Sequence, residues 1–164
     1  MKVLFLDIDG VLNSWDNLHS RSVIWSNDNE KKSRDKYGAL FDERCVRWLE
    51  YIVNKTNCKI VISSSWRKNG LKTMQKMWKD RKLPGEVIGI TPLVANEKLV
   101  QQYAQPSMRG YQIQEWLDDN EVDKYCIVDD LTDILSHQIH IRPDGKIGLN
   151  DQVASKIIRI LNGR

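Results

Sequence analysis

Short apolar runs alternate along the chain with segments of helical period, and that alternation predicts the architecture. Runs at 3–6, 59–62, 86–90, 125–128 and 138–141 are rich in Val and Ile and bounded by polar or glycine residues. Such runs read as buried parallel strands. Asp42 is placed to cap a helix that carries Val46, Leu49, Ile52 and Val53 on one stripe. A second helix is expected over about 68–82 with Leu71, Met74 and Trp78 inward, and a third from near Gly110 with Ile113, Trp116 and Leu117. The last follows Asn150, buries Val153, Ile157, Ile160 and Leu161, and stops at Gly163. Strand–helix–strand repetition of this kind gives right-handed crossovers. The expected fold is a three-layer α/β/α sandwich around a mainly parallel, five-stranded, Rossmann-like sheet, with 1–164 as one domain. In such folds ligands sit at the carboxyl ends of the strands.

Two segments break the alternation. Residues 13–38 are polar yet contain Trp15, Leu18, Val23, Ile24 and Trp25, which predicts a flap or small lid over a site, with a disordered stretch the alternative, and not a plain linker. Residues 91–108, with Pro92 and Pro106, delay the third helix.

Composition narrows the class. The 164 residues are 41% apolar and 29% charged, enough for a core without metal or disulfide staples. A net charge of +3 is too mild to indicate a nucleic-acid partner by itself. Cys45, Cys58 and Cys126 form no CxxC pair, which excludes a zinc ribbon and a thioredoxin-type dithiol and leaves small buried hydrophobes. The first apolar run is interrupted at once by Asp7 and Asp9, unlike a signal peptide, and no stretch approaches the roughly 20 apolar residues of a membrane span. A reducing, cytoplasmic setting without membrane contact is expected.

The strand ends carry the chemistry. Asp7-Ile8-Asp9-Gly10 follows the first strand, Ser63-Ser64-Ser65-Trp66-Arg67 the second, and Asp129-Asp130 with Asp133 the fourth, while Arg109 stands at a helix start. Phosphoryl transfer through a covalent intermediate needs this set. One carboxylate attacks phosphorus, and another protonates the leaving oxygen and activates water. A divalent ion such as Mg²⁺ takes hard oxygen ligands, for which Asp7, Asp9, Asp129 and Asp130 are the candidates. Hydroxyls and guanidinium groups hold the other phosphate oxygens, making Ser63, Ser64, Arg67 and Arg109 the candidate substrate contacts. An EF-hand calcium loop is excluded, because Gly10 falls at the fourth position counted from Asp7 and not the sixth.

These segments resemble the haloacid dehalogenase (HAD) superfamily. FLDIDGVLN is similar to its first motif, Ser63 in KIVISSSWR to its second, Arg109 in MRGYQIQEWL to its third, and YCIVDDLTD to its fourth. The resemblance implies Asp7 as nucleophile, Asp9 as general acid and base, and Ser63 and Arg109 as phosphate contacts. It implies Mg²⁺ on the Asp7 carboxylate, the Asp9 backbone oxygen and an acid of the 129–133 group, Asp129 first. The second Asp of the first motif separates phosphotransferases from the dehalogenase branch. The SSSWR and RGxxIxxWL runs, with IRPDGKIGLNDQVASKIIRIL, resemble the small HAD domains of RNA repair proteins, related to the phosphatase domains of polynucleotide kinase-phosphatases. That likeness implies no large cap, RNA or DNA 3′-phosphate ends as substrate, and a repair kinase or ligase as partner. Two alternatives stand beside it: a 5′-deoxynucleotidase for mononucleotides, and a phospho-acceptor module without turnover, against which Asp9 argues.

Three further signals bear on the substrate. Lys68, Lys72, Lys76 and Lys79 recur at helical spacing and predict one basic face, either solvated or set against a nucleic-acid backbone. Trp66 and Arg67 are placed to stack on a base, with core burial the alternative for Trp66. His137 and His140 have H-x-x-H spacing without a third zinc ligand.

Overall fold

The first apolar run, β1 (Lys2–Leu6), is the central strand of a five-stranded sheet in this computed structural model, which describes residues 1–23, 33–103 and 105–163. It pairs in parallel with β4 (Lys59–Ile62) on one side and β6 (Lys124–Val128) on the other. β5 (Val87–Ile90) extends the sheet beyond β4, and the short β7 (His140–Ile141) extends it beyond β6, both in parallel. The period of two along each strand separates two apolar layers. Leu4 and Leu6, with Ile60, Ile62, Cys126 and Val128, face one cluster, and Val3 and Phe5, with Val61 and Ile127, face the other.

The first layer is closed by α2 (Glu43–Thr56), α3 (Leu71–Asp80) and α6 (Asp151–Asn162), which bury Leu49 and Ile52, Met74 and Met77, and Ile157 and Leu161. The second is closed by α5 (Met108–Asp118), whose Trp116 meets Phe5 edge-on at 5.4 Å. A short α4 (Glu97–Tyr103) precedes α5 and buries Leu99. Asp42 caps α2 by accepting from the Arg44 amide, and Asn150 caps α6 by accepting from the Val153 amide.

The expected helix over 68–82 is divided. Ser65–Asn69 form a 3₁₀ turn, Gly70 at φ 88° breaks the run, and α3 starts after it. Lys68 therefore stands off α3, and the predicted basic face splits: Lys68 and Lys76 border one groove, while Lys79 borders a separate hollow with Lys82.

The polar segment after β1 holds α1 (Trp15–Val23) and a hairpin of β2 (Arg34–Asp35) and β3 (Gly38–Ala39), the extent of the expected flap that lies in the described residues. Ile24 and Trp25 lie outside them. Arg81 fastens the hairpin to the end of α3. It donates to both Asp35 oxygens at 2.9 and 2.7 Å and to the Gly38 carbonyl at 3.2 Å, and it lies 4.6 Å from the Phe41 ring centre. No large cap is present among the described residues. The three cysteines are free and buried.

Candidate functional site

β1 delivers Asp7 by continuing its ladder one residue past the strand, with the Asp7 amide donating to the Val128 carbonyl at 3.0 Å. The chain then folds back. The amides of Val11, Leu12 and Asn13 all donate to the Ile8 carbonyl, and Gly10 takes φ 78°. Glycine is required there twice over, because a Cβ would also lie 2.3 Å from a carboxylate oxygen of Asp130. The close approach of the first and fourth strand ends thus depends on a missing side chain.

Asp7, Asp129 and Asp130 each bring a carboxylate oxygen within 4.8 Å of the others. Asp7 and Asp129 are buried, and the Arg109 guanidinium bridges them, 3.1 Å from Asp7 and in contact with Asp129. Arg109 is aimed by the start of α5, where Ser107 accepts from the Gly110 amide and Asp133 accepts from the Arg109 amide at 3.1 Å. Asp133 is therefore occupied as a helix cap. Burial alone would weaken the charge on Arg109, but Asp7 and Asp129 outweigh it and hold the guanidinium above its ordinary pKa. Burial, then the charge of Asp7, pushes the Asp129 carboxyl well above the usual range against the pull of Arg109.

The two flanking carboxylates are held by indoles. Trp66 donates to Asp9 at 3.0 Å, and Trp15 donates to Asp130 at 3.3 Å. Asp9 is raised by burial and by the charges of Asp7 and Asp130, with the Trp66 and Asn13 hydrogen bonds pulling the other way. The Trp66 ring also packs edge-on against Phe41 at 5.4 Å, the core contact expected as the alternative to base stacking.

At the end of β4 the hydroxyls differ. The Ser63 hydroxyl is buried and has no partner among the described residues, as does the Thr91 hydroxyl just beyond β5. A buried hydroxyl normally finds a partner, and these two unpaired ones stand at neighbouring strand ends, on the rim that carries Asp7. The Ser64 side chain instead accepts from the Trp66 amide and caps the 3₁₀ turn. Arg67 departs further from a substrate contact. All five of its N–H donors are used within the protein, on the carbonyls of Ser63, Ser64, Thr91 and Pro92 and on Gln112 Oε1, at 2.7–3.1 Å. It braces the rim from beneath. His137 stacks on Tyr103 and bonds Gln114, while His140 faces the Asp129 carbonyl, so the pair does not converge.

The model of the HAD domain in Swiss Army Knife RNA repair proteins matches residues 3–154, from β1 into α6. The chain belongs to this family. No curated protein and no solved structure matches it. The strand-end carboxylates, Ser63 and Arg109 all fall within the matched span of this HAD domain. Thr91 and the indoles of Trp15 and Trp66 were not singled out as site residues by motif. Position offered one signal: Thr91 directly follows a strand, on the rim where the other site residues stand.

Whether a divalent ion suits this HAD domain can be judged from charge and donor type. Asp7, Asp129 and Asp130 cluster about one another while a single guanidinium touches the first two, Asp9 stands beside them, and the indoles orient Asp9 and Asp130 without neutralising them. The residual negative charge and the all-oxygen donor set fit Mg²⁺.

Proposed function

We propose that the chain is a Mg²⁺-dependent phosphomonoester hydrolase that works through an aspartyl-phosphate on Asp7, with phosphorylated RNA or DNA ends, 3′-phosphates foremost, as substrate. The observation that carries it is the convergence of Asp7, Asp129 and Asp130 with Arg109 at the ends of β1, β6 and α5.

In this reading an Asp7 oxygen attacks phosphorus while the bond to the leaving oxygen breaks, and Asp9 gives that oxygen its proton. Asp9 then takes a proton from water, which attacks the acyl-phosphate phosphorus and frees inorganic phosphate and the Asp7 carboxylate. Arg109 and the Ser63 hydroxyl stabilise the non-bridging oxygens, and Thr91 is added to them. Mg²⁺, held by the carboxylates of Asp7, Asp129 and Asp130 with the Asp9 backbone oxygen, would offset charge between nucleophile and phosphate. The family's link to RNA repair supports polynucleotide ends and a kinase or ligase partner over a mononucleotide. The free cysteines suit a reducing compartment such as the cytoplasm.

Phosphate release from small esters and from 3′- and 5′-phosphorylated oligonucleotides, with Mg²⁺ and with chelator, tests the reading. Wild type should turn over only with the metal, and Asp7→Asn should lose activity by at least about 10³-fold. An active Asp7→Asn protein removes the nucleophile assignment. A stable phosphoprotein without phosphate release removes the hydrolase.

A further inference from the structure

A groove of about 760 Å³ opens beside Asp9, between the β2–β3 hairpin and the 3₁₀ turn leading into α3. That volume lies in the range, roughly 300–1,000 Å³, that receives a ligand of nucleotide size. We propose that this groove binds the nucleic-acid strand that carries the terminal phosphate, and that it takes the end as an unpaired single strand. The inference rests on the hydrolase reading for its direction: the group that protonates the leaving oxygen marks the side on which the organic part of the ester lies. Asp9 lines this groove, whereas Asp130 lines a separate hollow with Trp15 and Arg142.

The groove has two chemically distinct parts. Its inner wall is apolar, formed by the half-buried Trp66 ring with the buried Met74 and Met77 packed behind it. An indole surface of this kind accepts the face of a base whatever its sequence. Its rim is basic, with Lys36, Lys68 and Lys76. Lys36 and Lys76 share one carboxylate, Asp80, at 2.8 and 3.7 Å, and Lys68 has no ion pair among the described residues. Three ammonium groups against one shared carboxylate leave a positive edge along an apolar wall. Asp9 stands at the inner end and Asp35, the other nearby acid, is already engaged by Arg81.

This arrangement favours a polyanion with flat apolar faces over an acidic peptide, which offers charge without regular stacking surfaces. It also favours a single strand. A base must leave the helical stack to lie against Trp66, which an end held in a blunt duplex resists.

Equilibrium binding of a fluorescent, 3′-phosphorylated single-stranded oligonucleotide to the intact protein tests the groove independently of turnover. Wild type should bind it at least about ten-fold more tightly than the same sequence as a blunt duplex. Lys68→Gln with Lys76→Gln should lower the slope of log K against log salt by about 1.4, at roughly 0.7 per backbone contact for single strands. Thr73→Trp, which puts a large ring on the groove wall, should weaken binding without altering that slope. In turnover, the ratio of kcat/KM for the oligonucleotide to that for a small chromogenic ester should fall at least five-fold in both variants. Unchanged binding in both variants, equal affinity for the duplex, or tighter binding of a phosphoserine peptide would overturn the groove assignment. If wild type binds as described but releases no phosphate, the hydrolase reading fails and the strand site stands.

Discussion

Arg67→Ala should destabilise the protein before it affects anything a substrate touches. The guanidinium ties together the loops after β4 and β5 and the body of α5, through four backbone carbonyls and Gln112. The side chain is buried, and no carboxylate pairs with it among the described residues. Burial, and next the charge of Arg109, hold its pKa below the ordinary value, with Asp7 opposing them. Truncation strands five acceptors, and a stranded buried acceptor costs about 1–3 kcal/mol. Pro92 is only half-buried and can turn to water, and water entering the vacated space serves part of the rest. The expected net loss is therefore about 4–5 kcal/mol, near the lower end of the additive range. For a chain of this length that corresponds to a fall in Tm of roughly 10–20 °C. Urea unfolding should show a lower midpoint at an unchanged m-value. Arg67→Lys keeps the charge but not the planar fork, and should lose about half as much. At a temperature where each variant is folded, kcat for a small ester should fall because Ser63 is no longer fixed. An Arg67→Ala protein with wild-type Tm and a raised KM would refute the brace and restore the substrate contact.

Other consequences follow from the same contacts. Gly10→Ala should cost about 1–2 kcal/mol for its left-handed backbone and, by pressing on Asp130, should reduce the rise in Tm that Mg²⁺ produces in wild type; an undiminished rise would contradict the crowding. Burial would raise the Asp42 carboxyl, but hydrogen bonds from Arg44 and Ser14 outweigh it and hold the folded value below the usual range. Its contribution is thus complete above an unfolded pKa of about 3.9 and is lost as pH falls through the lower folded value, so wild type should lose stability faster than Asp42→Asn in acid unfolding below about pH 4. Burial pushes the thiols of Cys45 and Cys126 up to about 12; at pH 8 a thiol reagent should label them only on unfolding, and rapid labelling of the native protein would contradict their burial.

The sheet was legible because its strands are apolar on both faces and short, a pattern that survives without knowledge of partners. β7 was harder. Only His140 and Ile141 pair, because the chain just before them is still in a turn, with the Gln138 amide donating to the Leu135 carbonyl. The break at Gly70 was hidden by a lysine spacing that continues through it, and α4 buries too little to show a stripe. The hairpin has strands of two residues, too short for any period. At the site, strand ends revealed which residues reach the rim but not which way their donors turn. Arg67 and Arg109 look alike in sequence, each a cation beside a site segment. One is turned inward onto carbonyls and the other outward onto Asp7 and Asp129, a difference set by the 3₁₀ turn that Ser64 caps and by the helix start that Ser107 and Asp133 cap.

The division between cationic and neutral donors at the rim has a physical consequence. Had Asp9 and Asp130 been paired with Lys or Arg, the four carboxylates would be largely neutralised and Asp9 would be held ionised. Indole N–H groups fix the direction of each carboxylate without supplying charge. Asp9 consequently stays raised by burial and by its acidic neighbours, the condition a proton donor to a leaving oxygen requires. Asp130 brings a carboxylate oxygen within 4.8 Å of Asp7 and Asp129, and its side chain is met by the neutral indole of Trp15. Trp15 reaches it because Gly145 has no side chain; a Cβ there would lie 2.6 Å from the indole nitrogen and 2.5 Å from the Asp130 carboxylate. Two tryptophans and two glycines, none of them able to take part in acid–base chemistry, thus fix the direction of the two flanking carboxylates without adding charge to them.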